Sequence, residues 1–316
     1  MLTKIRSLLA AAVLILPGVA GAQDFPDKQV TLVVPFAPGG GVDTVGRYLG
    51  EALARHWNET VVVENRPGAG SAVGAAHVTQ AKPDGYTLLV TSASFAANAA
   101  TQPSLPYDPE ADLQPVAVLT MGDFFVATGP DKGVDTLADL VEQAKTRKIF
   151  YGTNGGVGSI SHLTGELMND VLGIEMEPVH YGGASEVMVD LGGGRIDIAF
   201  AAYNDVAGGL GKPIAVLSST HSKLLPDVPT VAESGFADTF VLNSYWVFAP
   251  AGTPADVVTR IHDDIATVMN TPEAVAFLES QAAVPGTQST AEFTEMVHNE
   301  IAKWRSVAEA SGVTAD

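Results

Sequence analysis

The chain contains no cysteine, which excludes disulfide staples, thiolate metal sites and cysteine nucleophiles. Basic residues are few: 17 Lys and Arg stand against 36 Asp and Glu, for a formal net charge of −19. A nucleic-acid partner needs a basic face for its phosphates, so none is expected. The seven histidines are dispersed, with no H-x-H or H-E-x-x-H spacing, and no metal is expected. Ser159 lies in G-V-G-S-I-S, not in the G-x-S-x-G elbow of exported hydrolases. An exported hydrolase of unknown substrate is the alternative function, and it lacks a visible nucleophile and base.

One hydrophobic run stands out, at the N-terminus. Lys4 and Arg6 precede the apolar segment Leu8–Leu16, and Ala20-Gly21-Ala22 follows. A basic start, a short apolar core and an A-x-A end are the marks of a cleaved secretory signal over residues 1–22. Pro17 and Gly18 break the run well short of the roughly 20 residues a membrane span needs. The expected product is periplasmic.

Hydrophobic residues make up 46% of the chain, far too many for an acidic disordered protein. Its 316 residues suit two domains, each with a core of its own. Strand, glycine loop and helix recur along it. Gln29–Phe36 is a continuous β-branched run, as a strand buried on both faces should be. It enters Pro38-Gly39-Gly40-Gly41 and a helical pattern over Asp43–Arg55. Strands are also expected at Thr60–Glu64, Tyr86–Thr91, Phe124–Thr128, Lys148–Gly152, Pro178–Tyr181, Ile196–Phe200 and Pro213–Ser218. Helices are expected at Thr136–Thr146, Ser161–Leu172 and Ala291–Ala310. Thr253-Pro254 and Thr271-Pro272 each offer a capping hydroxyl before a helical proline. Alternating elements imply α/β lobes with parallel sheets, flanking helices and a central ligand cleft. The long run Val241–Pro250 can return the chain from an inserted lobe. The expected division is 23–121 plus 247–316 for lobe I, and 122–246 for lobe II.

Three glycine loops carry the visible chemistry: Gly39–Asp43, Asn154–Ser161 and Gly182–Ser185. Ligands of open parallel sheets sit beyond the carboxyl ends of the strands. Loops there present unpaired N–H groups at a helix start, where the macrodipole favours negative charge. Glycine lets an oxyanion approach that backbone. Asp43 fits a capping role better than a ligand contact, while Arg47 and Arg195 read as structural ion pairs. Gly68-Ala69-Gly70-Ser71-Ala72-Val73-Gly74 is a G-x-G-x-x-x-G dinucleotide pattern after a strand, but the next strand ends Thr91-Ser92-Ala93-Ser94 without the acid that would hold a ribose. No cofactor is expected.

With these segments in view, the chain resembles the Bug family, the extracytoplasmic solute receptors of tripartite tricarboxylate transporters. The likeness rests on Val34-Pro35-Phe36 leading to Pro38-Gly39-Gly40 and Asp43, and on Glu64–Gly70, Lys82–Leu89 and Leu105–Pro109. Gly158–Leu163, Gly194 with Ile196-Asp197, Leu225–Glu233 and Pro250–Pro254 continue it in order along the chain. The resemblance implies a two-lobe periplasmic-binding-protein fold of type II character. It implies a monomer that closes on a small carboxylate and passes it to integral membrane transporter subunits. It also implies ligand contacts at Phe36, Gly39, Gly40 and Asp43, and at Ser92, Ala93 and Ser94. In the second lobe it implies Asn154, Ser159, Gly182, Gly183, Ala184 and Asn204. Two segments depart from the pattern: Thr91-Ser92-Ala93 stands for Thr-Asn-Gly, and Tyr181-Gly182-Gly183 for Tyr-Lys-Gly.

Overall fold

The computed structural model describes residues 25–130, 132–237 and 239–315. The expected signal peptide, residues 1–22, lies outside the described residues. No helix among the described residues is long and apolar enough to cross a membrane.

Eleven strands form two sheets among these residues. The first holds β1 (Val30–Val34), β2 (Val61–Asn65), β3 (Thr87–Ser92), β4 (Leu113–Gly122), β10 (Asn243–Pro250) and β11 (Ala283–Pro285), in the order β11-β4-β10-β3-β1-β2. The second holds β5 (Phe124–Thr128), β6 (Ile149–Asn154), β7 (Met176–Tyr181), β8 (Ile198–Ala202) and β9 (Lys212–Val216), in the order β7-β6-β8-β5-β9. The parallel core is as the alternation requires. β1 pairs in parallel with β2 and β3, and β6 with β7 and β8. Leu32 and Val33 are fully buried on opposite faces of β1, which is why its sequence is apolar throughout.

The sheets are nonetheless mixed. β10 runs antiparallel between β3 and β4, β11 antiparallel to β4, and β5 antiparallel to β8 and β9. β4 and β10 together carry the chain between the sheets, and β10 already belongs to the first sheet at Asn243. Helices α3 (Ser94–Thr101) and α7 (Tyr203–Ala207) and strands β4 and β11 add to the expected elements.

The remaining helices cover both sheets: α1 (Gly41–Trp57), α2 (Ala72–Thr79), α4 (Leu137–Ala144), α5 (Ile160–Leu172), α6 (Ala184–Gly192), α8 (Ala255–Met269), α9 (Pro272–Ser280) and α10 (Thr290–Ser311). α10 packs on α3 and β4 of one lobe and on α5 of the other. A single core cluster therefore runs from Trp246, Phe248 and Phe293 through Trp304 to Tyr151 and Phe200. Thr271 caps α9 as expected, accepting from Ala274 N–H at 3.2 Å. Thr253 does not cap α8: its hydroxyl donates back to Pro250 O at 2.8 Å, and Pro254 occupies the cap position.

Candidate functional site

β3 and β6 belong to different sheets, and each ends in a short loop that opens a helix. Those two helix starts, α3 and α5, face one cavity of about 480 Å³. The first sheet contributes Phe36, Ser92, Ser94, Asn98 and Gln102 to its wall, with Ala69 and Gly70 beside them. The second contributes Asn154, Gly155, Val157, Ser159 and Ile160. No charged side chain lines it among the described residues. Beside Phe36, Val157 and Ile160, the wall offers hydroxyls, side-chain amides and helix-start N–H groups, a set suited to a ligand oxyanion.

The local sequence accounts for this arrangement. Ser159 is the N-cap of α5, its hydroxyl accepting from His162 N–H at 3.4 Å. Ser161 Oγ accepts from Asn154 N–H at 2.9 Å and donates to Asn154 Oδ1 at 2.6 Å, closing the loop on itself. Gly155, Gly156 and Gly158 hold φ of 103°, 81° and 76°, a region costly for any other residue. A Cβ on Gly158 would also meet Thr101 Oγ1 at 2.8 Å, so this close approach of the loop to α3 requires glycine. The opposite wall carries strain of its own. Gly68, Ala69, Gly70 and Ser71 have φ of 144°, 45°, 61° and 85°. For the two non-glycines this costs on the order of 1–3 kcal/mol each. The amide of Asn98 donates to Gly70 O and holds that turn against α3.

Ser92 and Ser94 hydroxyls lie 2.6 Å apart at the start of α3. Phe36, Ser92, Ser94, Asn154 and Ser159 are thus brought together as expected of them. The first glycine loop differs. Asp43 is buried and accepts from Gly39 N–H at 2.8 Å, Arg47 Nε at 3.0 Å and Asn65 Nδ2 at 2.7 Å. Burial pushes its carboxyl pKa up, but the bonds from Arg47, Gly39 and Asn65 outweigh that and hold it below the usual range. Both oxygens of Asp43 and the amide of Gly39 are therefore committed within the protein. Gly40 remains as the N-cap of α1, where an added Cβ would meet Ala37 O at 3.8 Å, an ordinary contact.

Other expected contacts also change place. Ala93 is buried and its N–H donates to Ser244 O at 2.8 Å. Gly182 N–H donates to Glu186 Oε2 at 3.0 Å, which leaves Gly183, Ala184 and Ser185 at the mouth of α6. Ala184 lines a narrow recess of about 10 Å³ with Asn154 and Asp205. Asn204 lines a separate space of about 60 Å³ with Gly41 and Tyr245, at the start of α1. Arg47 and Arg195 are ion-paired, to Asp43 and Asp190. His162 and His180 pack edge to face with ring centroids 5.0 Å apart. His162 is buried and its Nδ1 accepts from Gly158 N–H at 3.1 Å. Burial, then the neighbouring His180, holds its pKa below the ordinary value.

Reading the sequence did not find Asn98 and Gln102. The signal was present: Ser94, Asn98 and Gln102 recur every fourth residue, a polar stripe on an otherwise alanine-rich helix.

Two α/β lobes joined by crossing strands, with helix starts from both facing one polar cavity, define a two-lobe solute-binding protein. The family model for the tripartite tricarboxylate transporter family receptor, TctC, matches residues 45–313, and the chain belongs to that family. It is 30% identical to the Bordetella pertussis protein BugT over 92% of this chain and 91% of that one. It is 36% identical to an Agrobacterium vitis protein named for the TAR-I ttuE-ttuC' intergenic region, over 88% of this chain and 82% of the relative. Among solved structures, R. palustris Rpa4515 with adipate superposes with a TM-score of 0.80 at 30% identity, covering 92% of this chain and 99% of that one. MatC from Rhodopseudomonas palustris with bound malate gives 0.77 at 27% identity, covering 90% and 99%. Family members are periplasmic solute receptors.

Proposed function

We propose that this receptor binds a small organic carboxylate between its lobes and delivers it, unchanged, to integral membrane subunits of a tripartite tricarboxylate-type transporter. One observation carries the reading. The starts of α3 and α5, from opposite sheets, converge with Ser92, Ser94, Asn154 and Ser159 on a cavity free of charged side chains among the described residues. Adipate and malate, bound by the two Rhodopseudomonas palustris neighbours, are both carboxylates, which supports the same ligand class here.

The chain is exported by its N-terminal signal, loses residues 1–22 and works as a monomer in the periplasm. It closes as two lobes, 23–121 plus 247–316 against 122–246, a reading supported by the division of strands between two sheets. Ligand contacts come from Phe36, Gly40, Ser92, Ser94, Asn154, Ser159, Gly183 and Ala184. Asn98 and Gln102 join them. The net charge of −19 does not oppose an anion, because screening over roughly 8 Å leaves nearby N–H groups in control. A thermal-shift screen of the mature protein against organic acids tests the reading. A true ligand at 100 times its Kd adds about 2.7 kcal/mol of stability. A panel of mono-, di- and tricarboxylates and aromatic acids that leaves the melting temperature unmoved would refute it.

A further inference from the structure

The recess beside the cavity holds one carboxylate, Asp205 of α7. Asn154 lines both the recess and the main cavity, so the two adjoin at that residue. Asp205 is half-buried, and its only hydrogen-bond donor among the described residues is Ala202 N–H, 3.2 Å from Oδ2. No Lys, Arg or His is paired with it among the described residues. The remaining wall of the recess is Gly152, Ala184, Val187, Met188, Phe200 and Ala201, all without a charge to offer. Burial, and then the negative charge of Asp205, push up the phenol pKa of Tyr245, a residue of the other sheet.

A carboxylate in that position opposes a purely anionic ligand unless something positive comes with it. The two acids at the first and third glycine loops have their counter-charge or donors inside the protein: Asp43 has Arg47, and Glu186 has the Gly182 amide. Asp205 has one backbone donor and an empty side facing the recess. Burial also pushes its pKa above the usual carboxylate range, the expected response of a charge without a partner.

We infer that Asp205 receives the ammonium group of the ligand, so that the receptor selects an α-amino carboxylate over the same acid without its amine. The ligand's carboxylate sits at the α3 and α5 helix starts and its ammonium donates to Asp205 past Asn154. The inference rests on the carboxylate reading given above and adds the amine to it.

Calorimetry of the mature protein with the amino acids, each beside its desamino acid (aspartate with succinate, glutamate with glutarate), tests it. The tightest ligand is expected to be an amino acid that binds at least about tenfold better than its desamino partner, as a charged hydrogen bond provides. Asp205→Asn keeps an oxygen for the Ala202 N–H, so the fold is retained, and circular dichroism checks that. In D205N the tenfold preference should fall to near parity, mainly by weaker binding of the amino acid. Carboxylates that bind with no preference for the amine overturn this inference alone. So does a preference that survives D205N. If no acid of either kind binds, the carboxylate reading fails and takes the amine with it.

Discussion

Replacing Ser159 by aspartate separates the needs of the fold from those of the ligand. Ser159 caps α5 with backbone dihedrals of −66° and 160°, a conformation open to any capping residue. Aspartate caps as well as serine and adds a favourable charge at the helix start of about 0.3–1 kcal/mol. The variant should therefore be as stable as the parent, or slightly more so. Its effect on the ligand is opposite. The new carboxylate lines the cavity where the ligand's oxyanion is received. Two unit charges about 4 Å apart at an effective dielectric of about 20 repel by about 4 kcal/mol, roughly a thousandfold in Kd. Ser159→Ala is the comparison. It loses the cap, at a cost near the low end of about 0.5–2 kcal/mol, since the observed bond to His162 N–H is long at 3.4 Å. It also loses a hydroxyl donor, but adds no charge, so its affinity should fall far less than that of S159D. Urea unfolding and calorimetric titration of the three proteins decide the matter. If S159D binds the carboxylate as tightly as the parent, the oxyanion is not at the start of α5 and the site has been misassigned.

Gly183→Val should fold normally, because the backbone there is extended at φ −163° and no atom lies within 4 Å of the added Cβ; it should bind ligand at least about tenfold more weakly, as a lost charged hydrogen bond implies. Gly209→Val should do the reverse, losing stability because φ is +77° while keeping its affinity, and equal affinity in both variants would remove the α6 start from the site. Gly41→Ala places a Cβ 2.2 Å from Tyr245 Oη and should cost about 1–3 kcal/mol. Adding Tyr245→Phe should restore most of that in a denaturant titration, and no restoration means that the clash is not what limits α1. The folded chain holds fewer protons on His162 than the unfolded chain, so stability is full above the ordinary histidine value of 6.5 and falls as pH drops below it. Urea midpoints at about pH 7.5 and about pH 5.5 should differ more for the parent than for His162→Gln, and equal differences would exclude this ring as the source.

Much of the fold was legible because local chemistry and tertiary role agree. Val30–Val34 is apolar on both faces and central in its sheet, and the helix expected over Ala291–Ala310 is the last helix, Thr290–Ser311. β4 escaped because Pro115 and Gln114 open it with the look of a loop; only the pairing with β10 makes Leu113–Gly122 a strand. The antiparallel direction of β10 is a property of topology, since a strand reads the same in either sense. At the site, the glycine loops were visible but the fate of each amide was not. Gly39 N–H is taken by Asp43 and Gly182 N–H by Glu186, contacts four residues away that a glycine pattern does not announce. Asp205 lies in a five-residue helix too short to show a period, and only the fold brings it beside Asn154 and Ala184.

The most direct test compares an acid with its neutral amide. Once the organic-acid screen has found a ligand, the mature protein is titrated calorimetrically with that acid and with the matching primary amide, which keeps the shape and removes the charge. The helix starts of α3 and α5 predict saturable binding of the acid and a loss of about 1.5–3 kcal/mol for the amide, roughly 10- to 150-fold in Kd. Equal binding of acid and amide would contradict the claim that backbone amides hold a ligand oxyanion between the two lobes.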